Sequence, residues 1–285
     1  MLVPTTDRSL IEPLQRENYN VWGSGMSLDE YISREWDNYG TEYMRFDQMK
    51  KGEVGDVYFV WKNDETGVIE GGCEFFVREG WLKTENGIET IKCGTLGSVY
   101  VLDEFRGMGI SKKLLDAFNE ITWDYLPGEK DISMLWSEVG DKFYERWGYK
   151  ALAEESKLSQ NSNENDKIEY GETFTTRDDE KIKLIAESFK MKRFAEMNQW
   201  PLNTVVIIPS FGLFKWFARR VEAVNGGVES NFGRYNGDNW RVDIKDINIA
   251  SEPVIEEPIT SSIPMAKRHD GVGVKWERRG KWCWF

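Results

Sequence analysis

The sequence predicts an α+β fold, a mixed and mostly antiparallel sheet flanked by helices, with a smaller C-terminal α/β domain behind it. Helical spacing of apolar residues opens the chain, β-rich runs broken by turn residues fill roughly 57–102, and a strand, a glycine turn and a helix follow directly.

Taken in order, Ser27-Leu-Asp-Glu30 is a capping-box pattern, and Leu28, Tyr31, Ile32, Trp36 and Tyr39 follow at helical spacing. A second helical stretch is predicted from Thr41 to Lys51, closing at Gly52. Val57–Trp61 and Val68–Val77 read as strands joined by the turn Asn63–Gly67. Asn86-Gly87 marks a hairpin within Trp81–Lys92, and Thr95–Leu102 is a further strand segment. A helix from Ile110 to about Tyr125 stops at Pro127-Gly128, Ile132–Ser137 is a short strand, and Asp141–Trp147 is a short helix ended by Gly148.

Residues 154–172 are polar and poor in aliphatics, which places a linker at 156–172 between a first domain, 1–155, and a second, 173–285. Asp178–Met197 and Leu213–Val224 read as helices, and Asn203–Pro209 as a buried strand. Residues 252–264 carry three prolines and read as extended, and the Trp-rich ending reads as a hairpin around Arg279-Gly280.

Composition bounds the function. With 285 residues and a net charge of −12, the chain lacks the cationic surplus that a nucleic-acid partner demands. Its three cysteines are widely spaced, without a C-x-x-C pair, and His269 is the sole histidine, so neither zinc nor another metal is expected and a histidine-based triad has no obvious partners. The opening residues hold no apolar run behind a basic start, and no stretch of about 18 apolar residues occurs. A cytoplasmic protein with reduced thiols and no membrane partner is expected.

The chemistry concentrates in Gly97-Ser-Val-Tyr-Val-Leu-Asp-Glu-Phe-Arg106-Gly-Met-Gly109-Ile-Ser111-Lys-Lys. Here a strand enters a tight turn and then a helix, whose first amides lack internal partners and whose dipole is positive at that end; such a turn can hold an anion. An Arg-Gly-x-Gly turn alone equally serves as a connector. A second strand-to-helix segment, Met134-Leu-Trp-Ser137-Glu-Val-Gly140-Asp-Lys-Phe143-Tyr144-Glu-Arg-Trp147-Gly148-Tyr149, closes on aromatic-Gly-aromatic.

Together the two segments resemble the GNAT superfamily of N-acetyltransferases, in which a strand leads into R-x-x-G-x-G/A and a later N-x-x-A-x-x-F-Y leads into an aromatic-ended helix. Ser111 replaces Gly or Ala, Ser137 replaces Asn, and Gly140 replaces Ala. The resemblance implies acetyl-CoA as co-substrate. Backbone of Val99, Tyr100 and Val101 would pair with the pantetheine arm, amides of Arg106, Gly107, Met108, Gly109, Ile110, Ser111 and Lys112 would bind the pyrophosphate, and Ser137 would face the cofactor. Tyr144 would protonate the departing thiolate, a task suited to a neutral phenol; packing on Phe143 and Trp147 is its competing reading. Glu74 and Glu138 are the carboxylates near these motifs available to deprotonate the acceptor.

Within the superfamily, Cys73-Glu74, Gly97-Ser-Val and Ser137-x-Val-Gly140-x-x-Phe143-Tyr144 are similar to the fungal lysine N6-acetyltransferases of lysine catabolism. Pro209 and Lys215-Trp216-Phe-Ala-Arg219-Arg220 resemble their C-terminal half, with Phe217 where that pattern has His. The resemblance implies a small-molecule amine, the N6-amine of free L-lysine, with Arg219 and Arg220 available to its α-carboxylate. A protein or polyamine acceptor, or a catalytically silent acyl-CoA-binding module, are the alternatives.

Overall fold

The computed structural model describes residues 1–23, 25–41, 43, 44, 46, 50–152, 171–236, 239–244, 247, 248 and 263–276. The chain runs β1 (Leu2–Thr5), α1 (Arg8–Trp22), α2 (Leu28–Tyr39), β2 (Gly55–Lys62), β3 (Ile69–Thr84), β4 (Gly87–Val101), a 3-10 turn (Asp103–Phe105), α3 (Ile110–Tyr125), β5 (Ile132–Ser137), α4 (Lys142–Glu145) and β6 (Lys150–Ala151). It continues through β7 (Glu172–Thr175), α5 (Asp179–Met197), β8 (Thr204–Ile207), α6 (Phe211–Val224), β9 (Asn231–Asn236), β10 (Asn239–Ile244), β11 (Ile247–Asn248), β12 (Ile263–Arg268) and β13 (Lys275–Trp276).

Local chemistry explains the starts of the helices. The predicted capping box of α2 forms: Ser27 Oγ accepts from the Glu30 amide at 3.3 Å, while the Glu30 carboxylate accepts from the Ser27 amide at 2.7 Å. Asp7 caps α1 by accepting from the Ser9 amide at 2.8 Å. Neither α1 nor β1 is predicted from sequence, and α1 carries Pro13 in its interior, where the missing N–H and the ring ordinarily interrupt a helix. Conversely, the helix expected at 41–51 is not seen among the described residues: 41, 43, 44 and 46 lie in bends and turns, and 42, 45 and 47–49 fall outside the description.

β3 and β4 form a hairpin paired from Thr84↔Gly87 back to Gly71↔Val101, so the separate strand segments predicted on either side of Asn86-Gly87 are two continuous strands. Gly80 sits mid-strand because a Cβ there would stand 2.4 Å from Cys93 Sγ and 3.0 Å from the Val206 carbonyl of β8. The large sheet runs β1-β2-β3-β4-β5-β12-β6, with β8 pairing β3 and β13. All of its pairs are antiparallel except β4–β5 and β8–β13. A separate four-stranded sheet runs β11-β10-β9-β7.

Strand alternation separates two cores. Tyr58, Val60 and Phe76 face α1, α5 and α6, packing with Ile11, Leu14, Ile185 and Phe214. Phe59, Phe75 and Val77 face α3, packing with Leu114, Phe118, Trp147 and Met265. Met265 belongs to β12, so the chain on both sides of the expected 156–172 linker shares one sheet and one core. That linker lies outside the described residues except for 171 and 172, as do 252–262 and the expected hairpin at Arg279-Gly280. Cys73 and Cys93 are buried thiols; Cys283 is outside the described residues. No helix among the described residues is long and apolar enough to cross a membrane.

Candidate active site

The site begins where β4 leaves its neighbours. Opposite β3, the register steps from Glu74↔Gly97 to Gly72↔Tyr100, so Ser98 and Val99 together face Cys73 in a β-bulge, and Ser98 takes a left-handed backbone with φ of 49°. On its other edge β4 pairs in parallel with β5 only from Cys93↔Ile132 to Leu96↔Leu135. Past Leu96 that edge has no strand partner among the described residues, and its backbone borders a groove.

Val99, Tyr100 and Val101 form one wall of this groove; Phe105, Arg106, Gly107, Gly109, Ile110 and Ser111 form its end, and Val139, Phe143 and Tyr144 the other wall. Gly107 (φ 78°) and Gly109 (φ 77°) are left-handed, a conformation that glycine adopts without steric cost, and a Cβ on either would meet nothing within 4 Å. Gly109 is the N-cap of α3 and provides no capping side chain. The first α-helical bond runs from the Lys113 amide to the Gly109 carbonyl at 3.2 Å. Among the described residues, the amides of Gly107, Gly109, Ile110, Ser111 and Lys112 have no backbone partner, so this corner offers a fan of donors at the positive end of a 16-residue helix. Two members of the expected cradle behave differently. Arg106 N–H donates to the Asp103 carbonyl at 3.3 Å and Met108 N–H to the Phe105 carbonyl at 3.4 Å, so these amides close the turn. The Arg106 guanidinium pairs with Asp103 at 2.8 Å and lies over the Tyr100 ring. Lys112 is paired with Asp116 at 2.6 Å.

Tyr144 reaches the groove from α4, which is held against α3 by Trp147 Nε1 donating to Asp116 at 2.9 Å. Its ring packs on Phe143, Trp147 and Tyr149, at centroid distances of 4.9, 6.2 and 6.2 Å. Thus the packing role and the groove position coincide. Burial, then the neighbouring Cys73 and Glu138, raise the phenol's pKa above its usual value, which keeps it protonated. Its hydroxyl has no hydrogen-bond partner among the described residues. Cys73, on the same face, has a thiol also pushed up by burial, so it stays neutral and is a poor nucleophile.

Ser137 does not reach the groove wall. It is buried and its Oγ donates to the Gly140 carbonyl at 2.5 Å, closing the turn into α4. Glu138 is exposed beside Val139. Glu74 lies on the opposite face from Cys73, buried, with Oε2 accepting from Ser98 Oγ at 2.6 Å and Oε1 accepting from the Tyr39 hydroxyl. Burial, followed by Glu35, pushes its carboxyl up to about 7. Sequence reasoning assigned Tyr39 only to a helix's apolar spacing, did not single out Phe105, and gave Val139 only as part of the Ser137-x-Val-Gly140 motif; nothing local in the sequence pairs Tyr39 with Glu74. Among the described residues no cluster of three or more His, Cys, Asp or Glu could hold a metal.

Residues 54–151 match the family described as "Acetyltransferase (GNAT) domain". Among solved structures, a GCN5-related N-acetyltransferase from Kribbella flavida shares 13% identity with a TM-score of 0.51, the match covering 95% of this chain and 72% of that one. An acetyltransferase from Trypanosoma brucei shares 21% identity at a TM-score of 0.36, covering 56% of this chain and 98% of its own. The first of these establishes the likeness in fold across both halves. No curated protein sequence matches the chain significantly.

Proposed function

We propose that the protein, whose residues 54–151 match the acetyltransferase (GNAT) domain, transfers the acetyl group of acetyl-CoA directly to a primary amine. The carrying observation is that unpaired β4 backbone, the donor fan before α3 and Tyr144 line the same groove. The donor fan fits a pyrophosphate: its amides are free, and the two glycines leave the approach open where side chains would intrude. Val99 to Val101 would pair with the pantetheine amides as an added strand does.

In the proposed reaction the acceptor's ammonium first loses a proton to Glu74, directly or through water. The neutral nitrogen attacks the thioester carbonyl, forming the C–N bond; the C–S bond breaks as the Tyr144 hydroxyl gives its proton to sulfur, and the second proton shed by the acylated nitrogen passes through water to return the Tyr144 phenolate to its neutral form. Burial that makes the phenol a weaker acid also makes a naked thiolate costlier, so the two effects oppose each other at the moment of transfer. Glu74 suits the base role better than the exposed Glu138, because its value of about 7 is poised at neutral pH. The buried, neutral thiol of Cys73 argues against an acetyl-cysteine intermediate.

The narrower form of the proposal is the N6-amine of free L-lysine, supported by the motifs around Glu74, Ser98 and Tyr144. Of the candidate clamp, Arg219 Nη1 donates to the Asp37 carbonyl at 3.4 Å, and Arg220 lies over Trp216 at 4.6 Å. We place the reaction in the cytoplasm, where the buried thiols of Cys73 and Cys93 stay reduced. CoA release measured with L-lysine, lysine-containing peptides and polyamines tests the acceptor: turnover with a peptide and none with L-lysine overturns the lysine assignment. Calorimetry with acetyl-CoA tests the donor, since absence of both heat and thermal stabilisation would leave a silent fold.

A further inference from the structure

Glu74 is a buried carboxylate whose charge is supported by two neutral hydroxyls and no ion pair among the described residues. Ser98 Oγ donates to Oε2 at 2.6 Å and the Tyr39 hydroxyl donates to Oε1. Gln15 Nε2 donates to the Tyr39 oxygen at 3.2 Å, which leaves the phenolic proton directed at Glu74. The row Gln15, Tyr39, Glu74, Ser98 therefore links α1, α2, β3 and the β4 bulge. Its last member borders Val99, whose residue lines the acetyl-CoA groove. Ser98 pays for its place with a left-handed backbone, a conformation rare outside glycine. A serine held there at the bulge has a hydroxyl in use.

We infer that Tyr39 and Ser98 are positioning residues that hold Glu74 in its carboxylate form beside the bulge, so that helix α2 sets the strength of the base. This rests on the proposed role of Glu74 in deprotonating the acceptor. The groups facing Glu74 leave the task to these two donors. On α2, Glu35 opposes its ionisation, and Tyr31 and Tyr39 have values raised by burial, so both remain neutral. On β2, Asp56 opposes ionisation too but is itself paired with Arg78 of β3 at 2.5 Å, and Tyr58, cross-strand from Glu74, is neutral. The adjacent Cys73 thiol is neutral as well. Hydrogen bonds to the charged form lower a carboxyl's pKa, and the Ser98 and Tyr39 bonds do so here against the burial that raises it.

The test reads the Glu74 titration directly. The carboxyl C=O infrared band that disappears in Glu74→Gln is followed against pH in the parent protein, Tyr39→Phe and Ser98→Ala, with circular dichroism confirming each fold. In parallel, kcat/KM against pH is measured with acetyl-CoA and L-lysine. Loss of one donor to an ionised group is expected to raise the midpoint from near 7 by about one pH unit or more in either variant. An unmoved midpoint in folded variants overturns the inference; should Tyr39→Phe fail to fold, Ser98→Ala decides. If the midpoint rises while the acidic limb of kcat/KM stays in place, the positioning role stands and the reading of Glu74 as base falls.

Discussion

Tyr144 occupies both places that its sequence context leaves as alternatives: its ring is packed among aromatics and its residue lines the groove, where we propose that it protonates the thiolate. Removing only the hydroxyl separates them. Tyr144→Phe is expected to keep its thermal stability and acetyl-CoA affinity, measured by calorimetry, while kcat falls ~10²-fold or more as general acid catalysis is lost; an unchanged kcat with chemistry rate-limiting would leave packing as its sole role. Glu74 yields a pH dependence with a definite sign. Its folded value of about 7 lies above that of an ordinary carboxyl, so the carboxylate that the proposed base role requires is lost as pH falls through 7, and kcat/KM should decline on that side. Glu74→Gln should abolish that limb; its persistence would move the base to another group such as Glu138. Both residues are readable from sequence because a motif surrounds each. Their supports are not, since Tyr39 and Ser98 lie 35 and 24 positions from Glu74 and only strand register and helix packing bring them together.

Elements differ in legibility for the same reason. α3 and its glycine turn are readable end to end, because the apolar spacing, the turn glycines and Pro127-Gly128 all act locally. At the turn, Gly109→Val places a β-branched residue where φ is 77°, and it points a side chain into open space that the pyrophosphate would occupy. Acetyl-CoA affinity should fall while the helix persists, and retained affinity by calorimetry would refute the proposed cradle. By contrast, α1 is obscured by Pro13, and its stability derives from burying Ile11 and Leu14 against the sheet and from its Asp7 cap. Asp7→Ala is expected to lower stability in denaturant unfolding by leaving the Ser9 amide without its cap, and an unchanged midpoint would show that the cap contributes nothing. The strands at 69–84 and 87–101 look like shorter pieces because Gly80 and its charged neighbours break the apolar pattern. What justifies the break is β8, which arrives from more than a hundred residues away and has no local signature.

At the scale of the whole molecule, the polar run at 154–172 suggests two units, whereas hydrogen bonds tie the two sides together. β12 pairs with β5 from Ile263↔Ser137 to Arg268↔Ile132, along the full length of the strand that ends at the turn into Tyr144. On its other side it pairs with β6 at Met265↔Ala151. Sequence shows only a proline-bearing extended stretch there, because pairing across more than a hundred residues is set by what covers the edge of β5, which no local pattern encodes. A chain ended at residue 155 would leave that edge exposed, with Lys267 no longer donating to Asn119 at 2.6 Å and Met265 missing from the core under α3. Such a chain is expected to aggregate or to lose acetyl-CoA binding; a monomeric 1–155 fragment that folds and binds the donor would show that the catalytic half stands alone. The subtler version keeps the full chain. Met265 is fully buried beside Leu114, Phe118 and Trp147, so Met265→Ala should cost ~2–5 kcal/mol through lost burial and the resulting cavity. If the sheet unfolds as one cooperative unit, the acetyl-CoA site and the C-terminal strand must melt together, and a fluorescence transition should coincide with loss of donor binding. Two separate transitions in that variant, with donor binding surviving the first, would mean that β12 is an added strand and not part of what holds the groove in shape.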